Sequence, residues 1–275
     1  MPRFAIAHDA FTACFRGGRL WLVQFFANPI LFVLFIAWLF LPPSNAWYLV
    51  LNLLLALALL AAAFLLHSGT LNYFSDRQPG APSPLWPPFR RALQHLLPVA
   101  ICVGVFWVLW IFVVYLDSFQ DTFPPYFRSI LPVFLRRHVA LGSISNLFSA
   151  AIFCARWIIA PGLVLPLLQQ AADRGFRGFG TQGLTAWRKT ILSLGYWLVL
   201  LLAALLGVLA TTMLMALTPD FRTSTFHGEA FSLAIRLAVS YLLGLSSWLL
   251  VCSTVGRCAS AARAAADDVP GNPAA

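Results

Sequence analysis

The sequence predicts an all-α membrane protein: six transmembrane helices in three consecutive hairpins, an N-terminal interfacial amphipathic helix and an external interfacial helix near 125–140. Three observations predict it. The chain of 275 residues is 60% hydrophobic and 10% charged, with a mean hydropathy of +0.82, whereas a soluble domain carries about a quarter charged residues. Six apolar runs reach the roughly 20 residues that a bilayer crossing requires. Basic residues are shared unequally between the segments that join those runs.

The runs cover about 20–41, 46–67, 97–116, 146–168, 191–216 and 231–254. They make one transmembrane domain over 20–256, preceded by an interfacial segment at 1–19 and followed by a short, disordered cytoplasmic tail at 257–275. Leu41-Pro42-Pro43-Ser44-Asn45-Ala46 reads as a tight turn between the first two runs. The first run is longer than the apolar segment of a signal peptide, and the second follows at once, so Ser44-Asn45-Ala46 is not read as a cleavage site.

Arg3, Arg16, Arg19, Arg77, Arg90, Arg91, Arg174, Arg177, Arg188, Lys189, Arg257 and Arg263 fall on one side of this topology. Arg128, Arg136, Arg137 and Arg222 fall on the other. That asymmetry predicts both termini in the cytoplasm and contact of the basic side with anionic headgroups. Compact loops and the lack of organellar or glycosylation signals suggest a bacterial cytoplasmic (inner) membrane. The net charge of +9 could also suit a nucleic acid, but the arginines are scattered between apolar runs and form no basic face, so no nucleic-acid partner is expected.

Residues 3–19 place Phe4, Ala7, Phe11, Cys14 and Phe15 at helical spacing among polar residues, predicting an amphipathic helix on the membrane surface, and Gly17-Gly18 lets the chain turn inward. Similar lead-ins, Phe89-Arg90-Arg91 and Trp187-Arg188-Lys189, precede the third and fifth runs as Phe15-Arg16 precedes the first. The even runs end alike, at Asp76-Arg77 and Asp173-Arg174, with Asp267-Asp268 after the last. These marks fit three copies of one unit, and equally a shared insertion grammar. In the external segment, Pro124-Pro125 opens a surface helix interrupted by Pro132. Trp21, Trp47, Tyr48, Tyr115 and Tyr196 are expected at the membrane interfaces, and Trp107, Trp110 and Trp248 in packing.

Polar residues inside the runs are the best pointers to function. Arg156 and Arg236 are the charges within them, and the expectation for Arg156 is a pair with Asp117 or snorkelling to the edge, with an anion or headgroup site as the functional alternative. Gln24 and Asn28, one turn apart before Pro29, and Asn52 in the second run complete the candidate intramembrane polar site. Pro29, Pro161, Gly162 and Pro166 mark expected helix breaks. Ala203/Gly207 and Ser240/Gly244 have the spacing of close helix packing.

No catalytic residues, metal ligands or cofactor are expected. Cys14, Cys102, Cys154, Cys252 and Cys258 form no C-x-x-C and read as small packing residues, and the five histidines are dispersed. Gly175-Phe176-Arg177-Gly178-Phe179-Gly180 is glycine-rich but follows no strand, and reads as a mobile loop. The expectation is a non-enzymatic scaffold, membrane-organising protein or subunit of an assembly, with a membrane protein or a second copy as partner. The alternative is a small transporter or channel for an anionic or amphipathic solute with Arg156 near the path.

Overall fold

The computed structural model describes residues 5–42, 45–76, 84–217 and 226–267; of the helical residues 5–7, 226 and 264–267 only the backbone is described. Arg3, Phe4, Arg77, Arg222, Asp268, the Pro43-Ser44 turn and the tail from 268 onward lie outside the described residues.

Six helical segments among the described residues are long and apolar enough to cross a membrane. Span 1 is α2 (Gly18–Leu39), span 2 is α3 (Ala46–Asp76) and span 3 is α5 (Leu96–Asp117). Span 4 joins α8 (Leu141–Cys154), a π turn (Ala155–Ile159), α9 (Ala160–Arg174) and a 3-10 turn (Gly175–Phe179). Span 5 joins α11 (Leu194–Ala204), a second π turn (Leu205–Leu209) and α12 (Ala210–Ala216), and span 6 is α13 (Phe226–Asp267). Shorter helices lie between them: α1 (Ala5–Arg16), α4 (Trp86–Gln94), α6 (Phe123–Ile130), α7 (Val133–His138) and α10 (Thr181–Ile191). The break between α6 and α7 falls at Leu131-Pro132, where proline restricts the preceding residue to extended backbone.

Three spans overrun the boundaries that hydropathy draws, span 4 among them, which runs from Leu141 to Phe179 and not only over 146–168. Span 2 continues past residue 67 to Asp76, and span 6 continues past 254 to Asp267, so 257–267 is helix and not tail. The reason is what covers these turns. Leu71, Asn72, Phe74, Val255 and Cys258 are buried by neighbouring helices, and protein packing tolerates the polar residues that a lipid-facing hydropathy window rejects.

Spans 2, 4 and 6 pack against one another through α3, α9 and α13. Each odd span lies on the even span that follows it: α2 on α3, α5 on α9 and α11 on α13. The three lead-in helices pack on even spans, α1 on α13, α4 on α3 and α10 on both α9 and α13. We call the end carrying α1, α4 and α10 proximal and the opposite end distal. The core is proximal, built on Leu71, Phe74, Ala171, Tyr196, Leu249 and Cys252. Distal halves are open: Phe32, Trp47, Leu53, Trp107 and Leu147 are exposed, and Trp107, expected in packing, is 65% exposed. Apolar helices with so little protein cover take a bilayer as their solvent. The protein is an integral membrane protein.

Small residues set the closest approaches. A Cβ on Gly256 would fall 2.8 Å from the Phe74 backbone, so spans 2 and 6 touch main chain to side chain. Gly256→Leu is therefore expected to lower stability by about 3 kcal/mol, whereas Gly104→Leu, with nothing within 4 Å of the added Cβ, is expected to change it little. Heat unfolding of both purified variants in lipid nanodiscs checks this. In spans 5 and 6, a Cβ on Gly207 would fall 3.9 Å from Gly244 Cα, but one on Gly244 would meet nothing within 4 Å, and Ser247, not Ser240, fills the place beside Gly207.

Two expected surface features differ. In α1 the buried residues are Ala10, Ala13 and Cys14, while Phe11 and Phe15 are exposed, their rings in tilted contact with centroids 4.8 Å apart. Small side chains let α1 lie directly on α13, where the Ser253 hydroxyl donates to the Ala10 carbonyl. The glycine-rich segment 175–180 is a compact turn, not an open loop. Gly175 ends α9 at φ +62°, a left-handed position suited to glycine, and a Cβ on Gly178 would fall 2.4 Å from the Gln170 carbonyl oxygen.

Candidate functional site

The candidate polar residues occupy four separate places. Gln24 is fully buried in span 1 and donates from Nε2 to the Thr70 hydroxyl of span 2. Asn28, one turn further, donates from Nδ2 to Gln24 Oε1 at 2.7 Å and to the Gln24 carbonyl at 2.9 Å. This cluster is interior, and its bonds tie helices together, as polar residues within apolar bundles usually do.

The other three places are distal. Asn52 lies in the first turns of span 2, where its carbonyl accepts from Trp38 Nε1 at 3.0 Å. Arg156 Nη2 donates to Asp117 Oδ2 at 2.9 Å, and its guanidinium stands 5.5 Å from the Trp110 ring centroid. Asp117 is the last residue of α5, so Arg156 is level with the distal end of span 3. Arg236 donates to the carbonyls of Leu217 and Met215 at the end of α12. Each contact closes the distal end of one odd–even pair, and the structure does not bring the six residues into one site. Because Arg156 and Asp117 remain partly exposed, at 23% and 34%, Arg156→Leu is expected to shift stability by less than about 1 kcal/mol. Heat unfolding of that variant in nanodiscs reads the shift.

The prolines explain a second set of polar contacts. A proline within a helix leaves the carbonyl four residues back without its amide donor. Pro29 frees the Phe25 carbonyl, and the Tyr241 hydroxyl of span 6 donates to it at 2.8 Å. Pro166 frees the Gly162 carbonyl, and the Tyr196 hydroxyl of span 5 donates to it at 2.8 Å. Tyr196 is fully buried and is not part of an interfacial belt. Gly162 also admits the Trp197 ring, which a Cβ would meet at 2.5 Å. The π turn before Pro161 has the same origin: Ala160 N–H donates five residues back to Ala155 because the next residue cannot continue the ladder.

The densest polar constellation is proximal, and sequence reasoning did not assemble it. The Asp173 side chain, 8% exposed, accepts from Arg91 Nη1 at 2.8 Å and pairs with Arg263 Nη1 at 3.3 Å. Arg91 also pairs with Asp76, and Arg263 donates to the Ser75 hydroxyl. Directly beneath, buried Asn72 donates to the Ala172 carbonyl at 3.0 Å and accepts from Gln169 Nε2 at 3.2 Å. His95 donates from Nδ1 to the same Ala172 carbonyl at 3.1 Å. Arg174 Nε also stands 3.9 Å from Asp173 Oδ2, so two carboxylates and three guanidinium groups form a clasp joining spans 2, 4 and 6 and helix α4. The available signal was register: Asn72 and Gln169 each stand four residues before the aspartate that ends their span.

This clasp has no nucleophile or free acid aligned for proton transfer, and no group of three or more His, Cys, Asp or Glu residues that could hold a metal occurs among the described residues. Of the five free cysteines, Cys14 lies in α1, where burial pushes the thiol up to about 12. Maleimide labelling of the folded protein at pH 7.5 is therefore expected to leave Cys14 unmodified, as peptide mapping can show, and to modify it once detergent unfolds α1.

Fold and contacts together define a multi-pass α-helical membrane protein held by inter-helix polar clasps. Comparison of the chain with family profiles, with curated proteins and with solved structures found no match.

Proposed function

We propose that this protein is a non-enzymatic membrane scaffold: a membrane-organising protein or a subunit of a larger assembly, working with a membrane-protein partner or with further copies of itself. One observation carries the reading. The candidate polar residues are bound at separated places, Gln24 to Thr70, Asn28 to Gln24 and Arg236 to Leu217, and Arg156, around which a solute path would be built, is already bound to Asp117. The clasp built on Asp76, Arg91, Asp173 and Arg263 holds the even spans together at one end, as a static framework requires.

In this reading the chain is three consecutive hairpins in a bacterial inner membrane. The proximal end lies in the cytoplasm by the excess of arginine there. Helix α1 lies on anionic headgroups with Phe11 and Phe15 toward lipid, and α6 and α7 lie on the opposite surface with Tyr126, Ile130 and Phe134 toward lipid. The packing of each lead-in helix on an even span supports three copies of one unit. A hydrocarbon core of about 30 Å matches the 22 residues of α5, which sets Arg156 at the membrane edge.

Reconstitution tests the proposal. Vesicles carrying the protein are expected to pass chloride and phosphate no faster than empty ones. Protein purified in native lipid is expected at a defined mass above the 30.3 kDa of one chain, from a fixed partner or further copies. Saturable anion flux abolished by Arg156→Leu overturns the scaffold in favour of a transporter or channel for an anionic or amphipathic solute.

A further inference from the structure

The chain between spans 3 and 4 forms a basic arm at the distal end. Helix α6 starts at Phe123, soon after Asp117 closes span 3. It rests on α8, with the Phe123 ring stacked on Phe148 at 5.1 Å and on Phe127 at 5.9 Å. Helix α7 has 6 residues, none of them buried. A helix this short does not hold its shape in water alone, so it needs a surface to form on.

Two arginines fold the arm. Arg136 Nη2 donates to the Ser129 carbonyl at 2.6 Å and to the Leu131 carbonyl at 3.1 Å, both at the C-terminal end of α6. Arg128 Nη2 donates to the Arg136 carbonyl at 3.5 Å. The third, Arg137, is exposed and has no hydrogen-bond or ion-pair partner among the described residues. Residues 118–155 hold these three arginines and one carboxylate, Asp121. Beside the charge the arm exposes apolar side chains. Tyr126 and Ile130 lie one turn apart on α6, Val133 and Phe134 follow on α7, and each is 63–66% exposed.

We propose that the α6–α7 arm is a binding site for anionic phospholipid of the distal leaflet, with Arg137 on the headgroup phosphate and Tyr126, Ile130 and Phe134 in the acyl boundary. The inference rests on the reading of α6 and α7 as surface-lying helices and adds the lipid class that they select. Position comes first. Spans 3 and 4 flank the arm and hold it at the edge of the hydrocarbon, level with headgroup phosphates. Aromatic and aliphatic side chains beside basic ones are the composition of a helix that lies in that layer. A guanidinium free of internal partners presents paired N–H donors that match phosphate oxygens. A zwitterionic headgroup brings its own cation to its phosphate, so an arm of net positive charge gains from an anionic surface and not from a neutral one.

Amide hydrogen exchange over residues 126–138 of the full chain tests it, in nanodiscs of phosphatidylcholine alone and of equal parts phosphatidylcholine and phosphatidylglycerol. Exchange is expected to be about fivefold slower in the anionic nanodiscs, the share of one arginine near such a surface. Arg137→Gln is expected to remove the difference and Arg137→Lys to keep most of it, both at unchanged unfolding temperature. Arg188→Gln, on the proximal side, is expected to leave the difference intact, which assigns it to the arm. Inorganic phosphate added to phosphatidylcholine nanodiscs is expected to slow nothing. Slow exchange that is equal in the two lipids overturns the anionic site and leaves the surface-helix reading standing, whereas fast exchange in both overturns the two together. Protection by inorganic phosphate, or a difference that persists in folded Arg137→Gln, also overturns the proposal. Should Arg137→Gln not fold, the comparison of lipids on the unaltered protein decides.

Discussion

Asp173→Asn is expected to lower the stability of the protein by about 3 kcal/mol, the cost of breaking a buried ion pair from one side. The carboxylate is 8% exposed and serves Arg91 and Arg263 together. Its loss strands two guanidinium groups from different parts of the chain, with Asp76 left to compensate one of them. The neighbouring Asn72–Ala172 and Gln169–Asn72 bonds lie in the same packed layer and lose their support. Combining Asp173→Asn with Arg263→Gln is expected to cost less than the sum of the two single changes, because the second removes a charge that the first left unpaired. Denaturant unfolding in mixed micelles measures all three. Additive losses would show that the two residues act independently and that the clasp is not a unit.

Tyr196→Phe is expected to cost about 2 kcal/mol, the value of leaving a buried carbonyl without its donor. The geometry makes this prediction unusually specific. The Gly162 carbonyl needs Tyr196 only because Pro166 supplies no amide hydrogen. In a Pro166→Ala background the alanine amide can donate to Gly162 itself, and Tyr196→Phe is then expected to cost under about 0.5 kcal/mol. A double-mutant cycle read by heat unfolding isolates this coupling. Equal cost in both backgrounds would mean that the hydroxyl acts through something other than the proline gap.

Much of the membrane architecture was legible in the sequence, because hydropathy responds to the solvent that a helix faces. Spans 1, 3 and 5 lie within a few residues of the runs that hydropathy marks, since their surfaces are mostly lipid-exposed. Spans 2, 4 and 6 overran because Asn72, Gln169, Ser253 and Thr254 are buried by other helices, and a one-dimensional window cannot distinguish protein cover from water. The same blindness hid the clasp. Asp76, Asp173, Arg91 and Arg263 could be read as marks of topology, but their convergence depends on the even spans packing together, a long-range contact that no local pattern carries. Tyr196 was assigned to an interface from its position near a run's end, whereas the carbonyl freed by Pro166 draws it inward. Arg156 and Asp117 could be paired from sequence because consecutive spans that run antiparallel can bring such residues to the same end.

The central claim is that the proximal ends of spans 2, 4 and 6 form one cooperative body locked by Asp173. Amide hydrogen exchange in lipid nanodiscs, compared between the protein and Asp173→Asn, tests it most directly. The account predicts slow, matched exchange over 68–76, 165–173 and 249–260, with all three segments accelerating together in the variant. Acceleration confined to the turns around residue 173, with the segments in spans 2 and 6 unchanged, would contradict it.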